Sequence, residues 1–60
     1  MNATQHRVKA RILRESIMYW QDLLADAQAF DNKERANFCR RMIRQRTAQR
    51  TWELQRALGA

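Results

Sequence analysis

The chain has 60 residues without a single proline, and its one glycine, Gly59, is next to the last position. Proline and interior glycine interrupt helices, whereas the alanine, leucine, glutamine, arginine and methionine that are abundant here favour them. The only clear break is at 30–32. Because a short turn forces two long helices to run antiparallel, the sequence predicts a single all-α domain, a two-helix hairpin with helices at about 4–29 and 32–58. Gly59 is expected to end the second helix.

The residues around the break have the chemistry of a helix boundary. Asp31 is predicted to cap the second helix, with Glu34 three residues later completing a capping box. Asn32 tolerates the backbone angles of a tight turn. At the other end of the hairpin, Asn2 or Thr4 is expected to cap the first helix.

The first helix has a wide apolar face made of two neighbouring rows at spacings of three and four. A face of this width is broader than one neighbouring helix can cover, which is typical of four-helix bundles. The second helix has one main row, 36–39–43–47–50–54–57–58, interrupted by Thr47 and Arg50. The predicted core and dimer contacts are Ile12, Leu13, Ile17, Tyr19, Trp20, Leu23, Leu24, Ala36, Cys39, Ile43 and Leu54.

A second apolar row, Phe38, Met42 and Trp52, projects from another side of the second helix. An exposed apolar row on a small protein usually marks an interface. We expect this row either to form the contact between two copies, which we favour, or to meet a foreign partner.

Sixty residues are few for a stable core, and such domains usually need disulfides, a metal or a partner subunit. One cysteine and one histidine provide neither an internal disulfide nor a zinc site. The sequence therefore predicts a homodimer, with two hairpins forming a four-helix bundle.

Basic residues are unevenly distributed along the chain. Residues 1–32 contain four bases and four acids, whereas residues 33–60 contain eight bases and two acids, which is the whole net charge of +6. Folding the hairpin is expected to gather a basic open end from Arg7, Lys9, Arg11, Arg14, Arg46, Arg50 and Arg56. The turn end is mixed in charge, so two copies are expected to pair head to tail.

The residues that could support catalysis are few. Ser16 has no histidine near it in the sequence, and His6 is close to a helix end that is expected to fray. Asp22 and Asp26 could share an ion, but pairing with arginines or solvation is the simpler interpretation. Cys39 falls on the main apolar row and is expected to be a small buried residue. We expect no enzyme activity, cofactor or metal.

Ten of the twelve basic residues are arginine. Arginine binds carboxylates and phosphates at two points, which suits recognition. The stripe Arg40, Arg41 and Arg44 could contact an acidic protein surface or nucleic acid, RNA in particular, and a simply solvated basic surface is the plain alternative. A long second helix argues against a helix-turn-helix DNA reader. Membrane binding would require the hairpin to open, so no membrane partner is expected.

The segment 30–39, FDNKERANFC, resembles the turn and second-helix start of the plasmid Rop family, which are small RNA-binding hairpins that dimerise. Asp31, Glu34, Ala36 and Cys39 carry the resemblance, whereas Arg46 and Gln49 stand where that family has apolar core residues. The RNA-contacting positions of the family fall on Arg11, Glu15, Tyr19 and Asp26. The resemblance implies a four-helix bundle and, as the alternative function, RNA binding.

The first helix is also similar, at Leu13–Arg14, Tyr19–Trp20, Leu24 and Ala27, to small helical-hairpin proteins of Pseudomonas phages that silence host regulators. This resemblance implies a regulatory protein encoded by a phage or mobile element, acting in the cytoplasm of a bacterial host. The predicted function is inhibition or modulation of a host protein by docking through Phe38, Met42 and Trp52 or through the arginines.

Overall fold

The computed structural model describes residues 2–59, which form two helices, α1 (Ala3–Ala29) and α2 (Lys33–Gly59). The helices pack against each other along their length as a hairpin measuring 44 × 14 × 12 Å. The predicted all-α hairpin is therefore confirmed. Neither helix is long and apolar enough, within these residues, to cross a membrane.

Helix α1 begins with a complete capping box at the open end of the hairpin. The Asn2 side chain accepts a hydrogen bond from the Gln5 backbone N–H at 2.9 Å. The Gln5 side-chain oxygen in turn accepts from the Asn2 backbone N–H at 3.1 Å. Of the two predicted caps, Asn2 is therefore the one that satisfies the free N–H groups of the first turn.

The turn reverses the roles predicted for Asp31 and Asn32. Asp31 has a left-handed backbone with φ of 53°, and the backbone N–H of Asn32 donates to the Ala27 carbonyl at 2.8 Å. Together with the Asp31 to Gln28 backbone bond at 3.1 Å, this is a Schellman motif that closes α1. Asn32 then caps α2 by accepting from the Arg35 N–H at 3.1 Å.

The prediction that Asp31 caps α2 with Glu34 was wrong because α1 ends at Ala29, which places Asp31 at the left-handed position. Glu34 still lies in the first turn of α2, where its negative charge interacts favourably with the positive end of the helix dipole. Gly59 is the last described residue of α2, and its φ is not positive, so it does not have the left-handed conformation expected of a glycine that terminates a helix.

Small side chains form the contact between the helices, which we call the seam. Its buried apolar members are Ala10, Ala27, Ala36, Cys39 and Ala57, and its buried polar members are His6 and Glu53. The α2 positions 36, 39, 43, 46, 50, 53 and 57 alternate steps of three and four, the spacing of two helices packed at a shallow angle.

The predicted main row of α2 departs from this seam at two positions, Thr47 in place of Arg46 and Leu54 in place of Glu53, and agrees with it at Arg50 and Ala57. Thr47 is exposed, whereas Arg46 and Arg50 are half-buried and Glu53 is buried. Leu54 is only half-buried. The prediction followed apolar residues, but a regular antiparallel contact must keep the three-and-four alternation even where the residue is charged.

Several large apolar side chains lie outside the seam. Ile12 and Tyr19 are each 59% exposed and Phe30 is 84% exposed, so they are not core residues of a single hairpin. Leu13, Ile17, Trp20, Leu23, Leu24 and Ile43 are half-buried. Cys39 is 1% exposed, which confirms it as a small buried residue.

Candidate functional site

The seam divides the hairpin into two long faces of different chemistry. One, the aromatic face, consists of rows at helical spacing on both helices: Val8, Ile12, Tyr19 and Leu23 on α1, and Phe38, Met42 and Trp52 on α2. The other, the arginine face, consists of Arg7, Arg11, Arg14, Met18 and Gln21 on α1, and Lys33, Asn37, Arg40, Arg44 and Thr47 on α2.

An aromatic cluster lies on the aromatic face in the half of the hairpin nearer the turn. Tyr19 and Trp20 meet edge to face with ring centroids 5.4 Å apart. Trp20 meets Phe38 of α2 in the same way at 5.6 Å. Edge-to-face pairs at these distances are favourable, so the three rings form one ordered cluster, in which Tyr19 is 59% and Phe38 47% exposed.

An open groove of about 630 Å³ lies on the same face in the half nearer the open end. Ile12 and Trp52, both about half-exposed, stand on its two sides, one from each helix. Its remaining lining comes from Lys9, Leu13, Ala48, Gln49 and Glu53. The aromatic face therefore has an aromatic cluster at one end and an apolar groove at the other.

A buried polar pair closes the seam at the open end. The His6 Nδ1 and Glu53 Oε2 atoms are 2.5 Å apart, and both side chains are largely buried. The Trp52 ring meets the His6 ring edge-on at 6.0 Å. The Arg56 guanidinium lies 4.8 Å from the centre of the Trp52 ring, a cation–π contact.

Sequence reasoning missed this pair. His6 was expected near a frayed end, and Glu53 was assigned no role. Their positions carried a signal, because both continue the three-and-four spacing of the seam residues, His6 before Ala10 and Glu53 before Ala57.

Cations without acidic partners characterise the arginine face. Its ten positions include six cations and no acid, and within residues 2–59 no arginine or lysine lies within 4.0 Å of an Asp or Glu oxygen. Arg40 is instead held by a hydrogen bond from its guanidinium to the Asn37 side chain at 3.1 Å. These guanidinium groups are available to an external acid or phosphate.

A groove on the arginine face combines charge with apolar surface. It has a volume of about 380 Å³ and lies between Arg14, Ile17, Met18 and Gln21 of α1 and Thr47 and Arg50 of α2. The Nε atom of Arg50 is buried and has no hydrogen-bond partner. A buried donor without a partner is unfavourable, so Arg50 is a costly residue in the wall of this groove.

The residues predicted to form basic surfaces lie in three different environments. Arg40 and Arg44 share one row, whereas Arg41 is turned about 100° from Arg40 around the helix. Arg7, Arg11 and Arg14 form a row on α1. Arg46 and Arg50 are half-buried in the seam and do not form an exposed basic open end as predicted, while Arg56 packs on Trp52.

The acidic residues do not form a metal site within the described part of the chain. No group of three or more His, Cys, Asp or Glu side chains could hold an ion there. Asp22 and Asp26 are exposed, and neither pairs with a base among residues 2–59. The solvated interpretation of these two carboxylates is the one that the geometry supports.

Comparisons with protein-family models, with curated proteins and with solved structures found no match for this chain.

Proposed function

We propose that the chain is a non-enzymatic regulatory protein that docks its arginine face on an acidic surface of another protein and blocks or modulates that protein. The observation that carries this proposal is the combination of unpaired guanidinium groups and apolar side chains on one face. A host protein in the bacterial cytoplasm is the partner implied by the similarity of the first helix to phage inhibitors.

The groove beside Arg14 favours a protein partner over a phosphate backbone. Its lining includes Ile17 and Met18 beside Arg14 and Arg50, and Met18 is 54% exposed. A protein helix that carries both carboxylates and apolar side chains matches such a mixed lining, since apolar anchors add to charge pairing at interfaces. A sugar-phosphate chain has no apolar group for Met18.

RNA binding is the second candidate, and the row of Arg7, Arg11 and Arg14 supports it. These three cations follow one another at intervals of about one turn with no acid in their row, so several phosphates could be neutralised together. Single-strand readers also offer aromatic platforms among their basic residues. Here the paired rings of Tyr19, Trp20 and Phe38 lie on the opposite face, which weighs against that mode.

Two labelled probes test the proposal by fluorescence anisotropy. One is an amphipathic helical peptide in which glutamate and leucine side chains alternate along one face, and the other is an RNA hairpin. We expect the peptide to bind, and to keep measurable affinity as salt rises because apolar contacts are not screened. Binding to RNA through 6–10 phosphates would instead weaken by about 10³–10⁵ between about 50 and 200 mM salt.

A matched pair of variants locates the binding face. Arg40→Ala with Arg44→Ala is expected to weaken peptide binding at least about tenfold, because charge-assisted hydrogen bonds contribute about 1.5–3 kcal/mol each. Arg35→Ala with Arg41→Ala removes the same charge from exposed positions outside the arginine rows and should have little effect. Equal losses in the two pairs, or tight binding of the RNA hairpin alone, would contradict the proposal.

A further inference from the structure

The hairpin exposes more surface than a folded chain of its size should. Its accessible area is 4842 Å², whereas a folded monomer of 7.2 kDa is expected to expose roughly 4100 Å². The surplus of roughly 700 Å² is close to the 800 Å² or so that each partner contributes to a standard protein interface. The surplus of the whole hairpin is therefore of the size that one such interface would bury.

Exposed large apolar side chains are concentrated on the aromatic face, which carries five of the eight that the described residues contain. The five buried apolar residues of the described hairpin are four alanines and Cys39, whereas Val8, Ile12, Tyr19, Phe38 and Trp52 are each 47–59% exposed. The buried residues are thus small, and the larger apolar side chains are half-buried or exposed. Burial of a large apolar side chain contributes about 1.5–3 kcal/mol, so a single copy leaves part of the available hydrophobic stabilisation unused.

We propose that a second copy of this chain covers the aromatic face head to tail, so that the aromatic cluster of each copy sits over the groove of the other. The cluster is near the turn and the groove is near the open end. A two-fold axis perpendicular to the hairpin, at its midpoint, exchanges these two regions. Such an axis makes the aromatic face self-complementary, because the aromatic cluster of each copy then contacts the groove of the other.

The charges that border the aromatic face favour the same direction. Lys9 lines the groove and Arg56 packs on Trp52, so the open end is positive on this face. Near the turn, Asp26 continues the row of Leu23, and Glu34 and Arg35 both precede Phe38 at helical spacing, so this end is mixed in charge. A head-to-tail pair brings the positive open end of each copy opposite this mixed end, whereas a parallel pair would place the two positive ends together.

This inference is independent of the proposed function. The arginine face lies on the other side of the seam, as the groove between Arg14 and Thr47 shows, so it stays exposed in the dimer. Loss of dimerisation and loss of acidic-peptide binding can therefore be measured separately.

Sedimentation equilibrium over a range of chain concentrations tests whether a second copy covers the aromatic face. We expect a dimer whose dissociation constant rises about 100-fold or more in Ile12→Asp, which places a charge on the wall of the groove. Met18→Asp is the matched control, since Met18 is exposed to a similar degree on the arginine face. A helical wild-type monomer at all concentrations, or equal weakening by both variants, would overturn the proposal.

Cysteine cross-linking tests the direction in chains that fold normally. In a Cys39→Ala background, Asp26→Cys and Arg56→Cys are combined. Arg56 lies beyond Glu53, which contacts His6, so within one copy the two positions are about 30 Å apart, far beyond the reach of a disulfide at about 7 Å. We expect the double variant to form covalent dimers on oxidation and neither single variant to do so. Linking by a single variant, or none by the double, would overturn the head-to-tail arrangement.

Discussion

The two ends of the seam are closed by different chemistry. Near the turn, Ala27, Ala36 and Cys39 are 1–4% exposed and form a dry contact of small apolar side chains. At the open end, the His6–Glu53 pair holds two polar side chains out of water beside the buried Ala10 and Ala57. The helices are covalently joined only at the first of these ends.

The difference shows where the hairpin should be rigid and where it should open. An apolar contact between small side chains brings the backbones close, and it tolerates no added volume. A buried polar pair is stable only while both partners are present. Because the open end has no covalent link and depends on one such pair, local unfolding is expected to begin there.

Adding volume at matched positions of α2 tests this comparison with the largest expected effect. Ala36→Leu, near the turn, is expected to destabilise the protein by about 2–3 kcal/mol, because neither backbone can move away. Ala57→Leu, at the open end, should cost about 1 kcal/mol or less, since the helix ends can separate. Urea unfolding followed by circular dichroism at one chain concentration measures both. Equal costs would mean that the two ends are equally rigid.

Removing one partner of the polar pair gives a smaller effect with a clear control. Glu53→Ala leaves the buried His6 ring without its partner and is expected to cost about 2 kcal/mol. His6→Leu combined with Glu53→Leu removes both polar groups and should unfold within about 1 kcal/mol of the wild type. The same urea titration compares the two. A double variant that is less stable than Glu53→Ala would show that the pair itself, and not its broken form, controls stability.

The sequence was sufficient for the hairpin because the signals for it are local. No proline or interior glycine interrupts the helices, and the observed bounds Ala3–Ala29 and Lys33–Gly59 differ from the predicted ones by one residue at three of the four ends. The assignment of Asp31 and Asn32 was wrong because both residues suit both roles, and only the position where α1 ends decides between them.

The seam of α2 could not be predicted from the apolar pattern. After Ile43 the pattern offers Thr47 three or four residues along, whereas the packed helix uses Arg46, whose long stem can lie along apolar surface while its charge reaches water. Glu53 is buried because His6, 47 residues away, bonds it. The three-and-four spacing places Glu53 in the seam, but it does not identify His6 as the side chain that faces it.

The candidate faces could be predicted from the sequence only in part, for the same reason. Phe38, Met42 and Trp52 were identified as a separate row, and Phe38 and Trp52 are about half-exposed. The groove across from Ile12 depends on the register between the helices, and so does the meeting of Trp20 with Phe38. The turn and the seam together set this register, and the apolar rows of the sequence do not contain that information.

The two helix caps provide the finest test of the difference between the ends, since each is an asparagine that accepts one backbone hydrogen bond. Asn32→Ala is expected to cost about 1 kcal/mol, because Asn32 also belongs to the turn that closes α1. Asn2→Ala should cost about half as much, because the open end is expected to unfold before the rest of the hairpin, so its cap contributes less to the free energy of global unfolding.

Asn37→Ala, within α2, is the control. It loses only a side-chain contact to Arg40, and alanine favours the helix, so stability should not fall. Urea midpoints of the three variants rank these effects, and a larger loss in Asn2→Ala than in Asn32→Ala would reverse the order of the two ends.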